Sequence, residues 1–263
     1  METAKTGPQG PILEVQDLQK VYGARGTVTR ALDQVSFTVE PGEFVGIMGA
    51  SGSGKTTLLN CISTIDTPTA GRVLVAGQDI TALRGRQLAA FRRERLGFIF
   101  QDFNLLDTLT ARDNIALALS VCGTPPARIE PRLARVAAAL GIAETLDRYP
   151  YELSGGQQQR VAAARALVTD PALVLADEPT GSLDSHAARM LLRLLEEMND
   201  RFAATILMVT HDPVSASYCR RILFIRDGRL FIELRRGDAD RRTFFEQIMD
   251  VVAALGGDPD DLL

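Results

Sequence analysis

A short apolar run, Glu43–Met48, leads directly into Gly49-Ala50-Ser51-Gly52-Ser53-Gly54-Lys55-Thr56. A helical pattern with Leu58, Leu59 and Ile62 on one face follows it. The octapeptide satisfies G-x-x-x-x-G-K-[ST] at every position, in the strand-before, helix-after context that the motif requires. No other segment constrains the fold as much, because this chemistry works only at a strand-to-helix turn. The glycines let successive backbone N–H groups turn toward one point and form an anion nest. The helix N-terminus beyond adds its partial positive charge. Lys55 supplies a full positive charge for β- and γ-phosphates, and the Thr56 hydroxyl is placed to ligate Mg²⁺. The expected phosphate cradle runs from Gly49 to Thr57.

The rest of the chain supplies strands and helices around that turn. Ile12–Val15 and Val35–Val39 read as strands, the second by the alternation of Val35, Phe37 and Val39. Arg72–Ala76 and Leu96–Phe100 are further strands. Leu173–Ala176 and Thr205–Val209 are continuous apolar runs, as in parallel sheets buried on both faces. From 102 to 168 the pattern is helical, including the Ala- and Leu-rich stretch Pro131–Leu140, and Asp170–Pro171 ends it. Ser185 is the expected N-cap of a helix that turns Ala188, Leu191, Leu192, Leu195 and Met198 inward. Ile222–Ile225, Asp227–Gly228 and Leu230–Ile232 predict a β-hairpin with a D-G turn. Thr243–Leu255 is an amphipathic closing helix whose Phe244, Phe245, Ile248 and Val252 are expected to pack on their own core.

Strands alternating with helices predict an α/β fold with a parallel-sheet core. The strand-rich first third adds an antiparallel β patch, and the block at 102–168 an inserted α-helical subdomain. The expected organisation is a disordered start over 1–10, one domain over 11–257 and a short tail over 258–263.

Composition narrows the function. The chain has 263 residues, 46% hydrophobic and 24% charged, enough for a sizeable core without disulfides or metals. Its net charge of −4 offers no electrostatic case for nucleic-acid binding. Cys61, Cys122 and Cys219 are odd in number and far apart, which argues against a disulfide framework or zinc site and fits a reducing cytosol. The first ten residues lack the apolar stretch of a signal peptide. No run approaches the roughly 20 apolar residues of a membrane helix, so service to a membrane requires docking on another chain.

Leu173-Val174-Leu175-Ala176-Asp177 is an apolar strand that ends in a carboxylate, the position that holds Mg²⁺ in phosphate-loop proteins. Glu178 follows at once. Adjacent residues at a strand end can point to different sides, so one carboxylate can serve the metal while the other faces the attacking water. Glu178 is the expected general base. A second anion site lies about 100 residues from the cradle. There Ser154 can N-cap a helix that begins with Gly155, Gly156 and Gln157. On the helical block it can reach a γ-phosphate from the far side only if that phosphate sits on another copy. That geometry predicts a head-to-tail homodimer with two shared sites.

Leu153-Ser154-Gly155-Gly156-Gln157 in this position resembles the signature of the ATP-binding cassette family, and the resemblance extends from Ile12 to Gly257. It implies a RecA-like P-loop NTPase core, ATP as substrate and Mg²⁺ as cofactor. It also implies roles for single residues. Tyr22 resembles the aromatic residue that stacks on adenine. Gln101 resembles the residue that senses Mg²⁺ and the partner protein. Ser182-Leu183-Asp184 resembles the loop that reaches across the dimer, and His211 the histidine that contacts the γ-phosphate. Alone, each also fits a plainer role: a half-buried core tyrosine, a polar loop residue, a turn-stabilising aspartate and a hydrogen-bonded structural histidine.

One cassette per chain differs from the fused translation-factor type. The interval from Gly49 to Gly156 leaves no room for a long coiled coil, which sets it apart from DNA-repair cassettes. Leu96–Thr110, Ala204–Phe231 and Phe244–Gly257 resemble the lipoprotein-release, macrolide-export and cell-division group. Within it they are most similar to bacterial cassettes of bacitracin-type peptide-antibiotic resistance. The resemblance implies a polytopic permease of the lipoprotein-release type as partner, a neighbouring sensor kinase, and a cytoplasmic position on the inner face of the membrane. A mechanical cassette that signals through a permease-like protein without transport is the alternative it leaves open.

Overall fold

The computed structural model describes residues 10–23, 28–100 and 102–255. Most of the expected disordered start, Gln101 and the 258–263 tail lie outside the described residues. The element order is β1 (Leu13–Tyr22), β2 (Thr29–Val39), β3 (Phe44–Met48), α1 (Lys55–Ile62), β4 (Ala70–Val75), β5 (Gln78–Asp79), α2 (Arg86–Arg95) and β6 (Leu96–Phe100). There follow α3 (Ala111–Val121), α4 (Pro126–Ala139), α5 (Gly155–Leu167), β7 (Leu173–Asp177), α6 (Ser185–Phe202) and β8 (Ile206–Val209). The last elements are α7 (Pro213–Ala216), β9 (Arg221–Arg226), β10 (Arg229–Arg235) and α8 (Arg241–Ala254).

These strands form two sheets. Four make an antiparallel patch in the order β2-β1-β4-β5. Six make the central sheet in the order β10-β9-β3-β8-β7-β6, parallel from β9 to β6, with β10 returning antiparallel as a hairpin. β3 and β8 are buried at every residue and β7 at all but its last, because both faces of this sheet are covered. Successive side chains alternate between two cores. Phe44, Met48, Val174, Ala176, Ile206 and Met208 face the larger one, with residues of α3–α6 and α8. Val45, Ile47, Leu175, Leu207 and Val209 face the other, where α1 is wedged against the antiparallel patch.

The helical insertion starts later than its pattern suggests, at Ala111. Thr110 caps α3 in a reciprocal box with Asp113. The preceding loop is shaped by buried Asn114. Its Oδ1 accepts from Leu106 N at 2.8 Å and its Nδ2 donates to the Leu109 carbonyl at 3.1 Å. At α6 the cap is Asp184, whose Oδ1 accepts from His186 N and Ala187 N at 2.8 and 2.9 Å, and Ser185 is already inside the helix. Both residue types cap well, and the fold uses the earlier one. α2 has no counterpart in the sequence reading, since only Phe91 of its ten residues is buried and no apolar stripe marks it.

α8 buries Phe244 and Ile248 completely in the larger core. Phe244→Ala is therefore expected to cost the isolated subunit about 3–5 kcal/mol of unfolding free energy in a denaturant titration. A change under about 1 kcal/mol would assign this helix to a partner surface instead.

Candidate functional site

β3 delivers the chain to the cradle, and both sheets shape it. A Cβ on Gly49 would collide with the Ile225 carbonyl oxygen of β9. Gly54 has φ of 107°, and a Cβ there would collide with the Ala31 carbonyl oxygen of β2. No side chain other than hydrogen fits either place. The Gly228 N–H of the β9–β10 turn donates to the Ser53 carbonyl at 3.0 Å and supports the loop from outside. α1 has no side-chain cap and no acidic residue in its first turn, so its leading N–H groups remain available to an external acceptor.

The residues present fit a polyphosphate. Ser53 Oγ is buried with no hydrogen-bond partner among the described residues, the mark of a hydroxyl that awaits an acceptor. Lys55 is 8% exposed, and its Nζ donates to the carbonyls of Gly49 and Ala50 at 2.7 and 2.9 Å. Burial lowers its pKa, opposed by the nearby charges of Glu178 and Asp177. Thr56 stands exposed on the first turn of α1. Tyr22 is no core tyrosine. It is 41% exposed, donates to Asp66 Oδ2 at 2.6 Å, lies against Thr57 and carries Lys20 Nζ over its ring at 4.8 Å from the centroid.

Asp177 ends β7 in register with Phe100 of β6 and Val209 of β8. Burial raises its pKa, Glu178 raises it further, and Lys55 opposes both. Among the described residues no three His, Cys, Asp or Glu side chains cluster as a metal site. Thr56 at the head of α1 and Asp177 at the end of β7 offer oxygens of the kind Mg²⁺ takes, a cation that needs only one or two protein oxygens beside phosphate and water.

Glu178 leaves the strand with φ of 44°, its N–H donating to the Val209 carbonyl at 2.9 Å. Its Oε1 meets His211 Nδ1 at 2.8 Å. The sequence marks both residues but not their contact, which arises because β7 and β8 are neighbours and each residue follows its strand.

Ser154 N-caps α5 as predicted. Its Oγ accepts from Gln157 N at 3.3 Å, and the Gln157 Oε1 accepts from Ser154 N at 3.0 Å. A concavity of 530 Å³ brings Ser154, Gly156, Gln157 and Arg160 together with Asp184 and His186, and no cradle residue lines it. Asp184 has a local task as the α6 cap, and its backbone donors hold its carboxyl below the usual range. Gln101 belongs to no described feature. Gln159, which donates to the carbonyls of Phe100 and Pro179, and the support from Gly228 escape the sequence reading, since both act through tertiary contacts without a spacing signal.

Residues 32–181 match the family model described as ABC transporter. The chain is 50% identical over 250 residues to the bacitracin export ATP-binding protein BceA of Halalkalibacterium halodurans, covering 95% of this chain and 99% of that one. It is 53% identical over 252 residues to the ABC transporter ATP-binding protein YxdL of Bacillus subtilis, covering 95% and 97%. Among solved structures it is similar to the dimeric ATP-binding cassette MJ0796 in a post-hydrolysis state bound to ADP and Pi. There the TM-score is 0.76 and the identity 36%, over 85% of this chain and 98% of that one. The chain belongs to the ABC transporter family. It is the ATP-binding and ATP-hydrolysing subunit of a transporter.

Burial of the Asp177 carboxylate and the Lys55 ammonium in one cleft opposes folding in their charged forms. With its folded pKa raised, Asp177 imposes its full penalty above that pKa and none below its unfolded value. Asp177→Asn should therefore raise the melting temperature of nucleotide-free, metal-free protein at neutral pH, with the gain vanishing in acid. An unchanged or lowered melting temperature at neutral pH would contradict this.

Proposed function

We propose that this subunit powers a permease of the lipoprotein-release type in the export or detoxification of peptide antibiotics. The observation that carries the reading is the near full-length identity of 50% to a bacitracin export ATP-binding protein. In this reading the domain spans 11–257, the block at 102–168 moves as a helical subdomain, and a sensor kinase accompanies the permease. No helix among the described residues is long and apolar enough to cross a membrane. The subunit is read as held at the cytoplasmic face by docking. A groove of 640 Å³ between α2, β6, α3 and α5 suits that contact, with Phe98, Leu117 and Val121 in its lining.

The residue roles are those that the resemblance to the family implies. The N–H groups and Lys55 of Gly49–Thr57 bind the phosphates of ATP. Lys55 exchanges two loop carbonyls for phosphate oxygens. Tyr22 offers a face to adenine. Thr56, Asp177 and Gln101 would hold Mg²⁺, which neutralises charge on the β- and γ-phosphates when bound. Glu178 takes the proton of the attacking water on its carboxylate, an effect worth roughly 10²–10⁴ in rate. His211 fixes that carboxylate through Nδ1 and contacts the γ-phosphate. Ser154, Gly155, Gly156, Gln157 and Asp184 complete the site of the other copy. A concavity that these residues line without any cradle residue supports that division of labour. ATP drives the dimer shut because it binds the closed state better.

Glu178→Gln is expected to bind ATP normally, to lose at least about 100-fold in turnover and to accumulate closed dimers in size-exclusion chromatography. Turnover at the wild-type rate would remove Glu178 as the base. Mixing a Ser154→Arg copy with a Lys55→Ala copy should restore turnover, since a heterodimer keeps one intact shared site. No recovery in verified heterodimers would refute sharing.

A further inference from the structure

Outside the assigned site, Gln159, the fifth residue of α5, has a wholly buried side chain. Its Nε2 carries two hydrogens, and each has a backbone acceptor far away in sequence. One is the carbonyl of Phe100 at 3.2 Å, the other that of Pro179 at 2.7 Å. Phe100 is the last residue of β6 and immediately precedes Gln101. Pro179 immediately follows Glu178 and its left-handed turn. β6 and β7 are neighbours that pair Phe100 with Asp177. One amide thus ties the ends of two adjacent strands to the helix that Ser154 caps.

The amide is only half used. Gln159 Oε1 is buried with no hydrogen-bond partner among the described residues. An apolar side chain of the same length would fill the space without burying an unpaired acceptor. What the polar group adds is the pair of donors, and those donors reach the two segments that flank Gln101 and Glu178.

We infer that Gln159 is a positioning residue that couples the two ATP sites of the dimer, a conclusion that rests on the shared-site reading. Ser154–Gln157 of one copy engages the nucleotide held by its partner. Any displacement of α5 on that engagement pulls on the Phe100 and Pro179 carbonyls of the same copy. It thereby sets the aim of Glu178 toward the nucleotide in its own cradle. ATP in one site therefore readies the base of the other. The hinge is local: a left-handed Glu178, a proline after it, and a single amide across both.

The test uses the full chain with its permease and measures ATPase rate against ATP concentration. Gln159→Met keeps the length and removes both donors. Its kcat is expected to fall about tenfold and its Hill coefficient to approach about 1, while nucleotide affinity stays within about twofold. Wild-type kcat and Hill coefficient, or an affinity that falls in step with kcat, would overturn the inference. Gln159→Glu keeps the shape, and only its protonated form can donate, to one carbonyl. Its rate relative to wild type should therefore climb as pH falls, and a flat ratio would also overturn the inference. Ser154→Arg separates the two readings. If it turns over normally, sharing itself fails. If it is inactive while Gln159→Met stays cooperative, only the role of Gln159 fails.

Discussion

The convergence of backbone N–H groups between β3 and α1 sets the terms for the rest of the molecule. Such a loop has few internal partners for its donors, so something else must hold it open. Here that support comes from opposite sides. The Ile225 carbonyl closes on Gly49 from the central sheet, and the Ala31 carbonyl closes on Gly54 from the antiparallel patch. Gly228 N–H fastens the Ser53 carbonyl. Asp33, which ion-pairs with Arg229, donates its own N–H to the Gly228 carbonyl at 2.8 Å, so the patch and the hairpin are themselves joined beside the loop. The antiparallel patch thereby serves as a wall of the cradle as well as a lid on the core.

The same cleft concentrates charge that folding disfavours. Burial works against ionised Asp177 and ionised Lys55 alike, and Glu178 beside Asp177 adds like-charge repulsion. Two well-packed cores carry this cost. In the proposed reading, a ligand that brings phosphate and a divalent ion would supply the opposite charges and so give ATP leverage over the conformation of the protein.

The legibility of the sequence followed the kind of signal each feature carries. The cradle, the buried strands and the hairpin were readable because their residue types serve local backbone geometry at fixed spacing. Ser154 was readable as a cap for the same reason. α2 was not, because a helix that buries only Phe91 shows no stripe. The cap of α6 was misplaced by one residue, since Asp184 and Ser185 are equally suited and only the path of the chain chooses. The 102–110 stretch looked helical, yet Asn114 holds its backbone in a loop through contacts that no periodicity reports. The Glu178–His211 contact required the order of β7 and β8 in the sheet, and the reach of Gln159 required the positions of β6, β7 and α5.

The sequence by itself determined the local features: a phosphate loop, two consecutive carboxylates at a strand end and a serine-capped Gly-Gly-Gln helix start within the helical block. Those features depend on residue type and short-range spacing, which one chain displays directly. The tertiary structure decided which of these groups meet. It placed Glu178 against His211 and left Ser154 and Asp184 lining a separate concavity. It also gave Gln159 its two distant carbonyls. Strand order and helix docking set those distances, and they emerge from the packing of two cores whose members lie far apart along the chain.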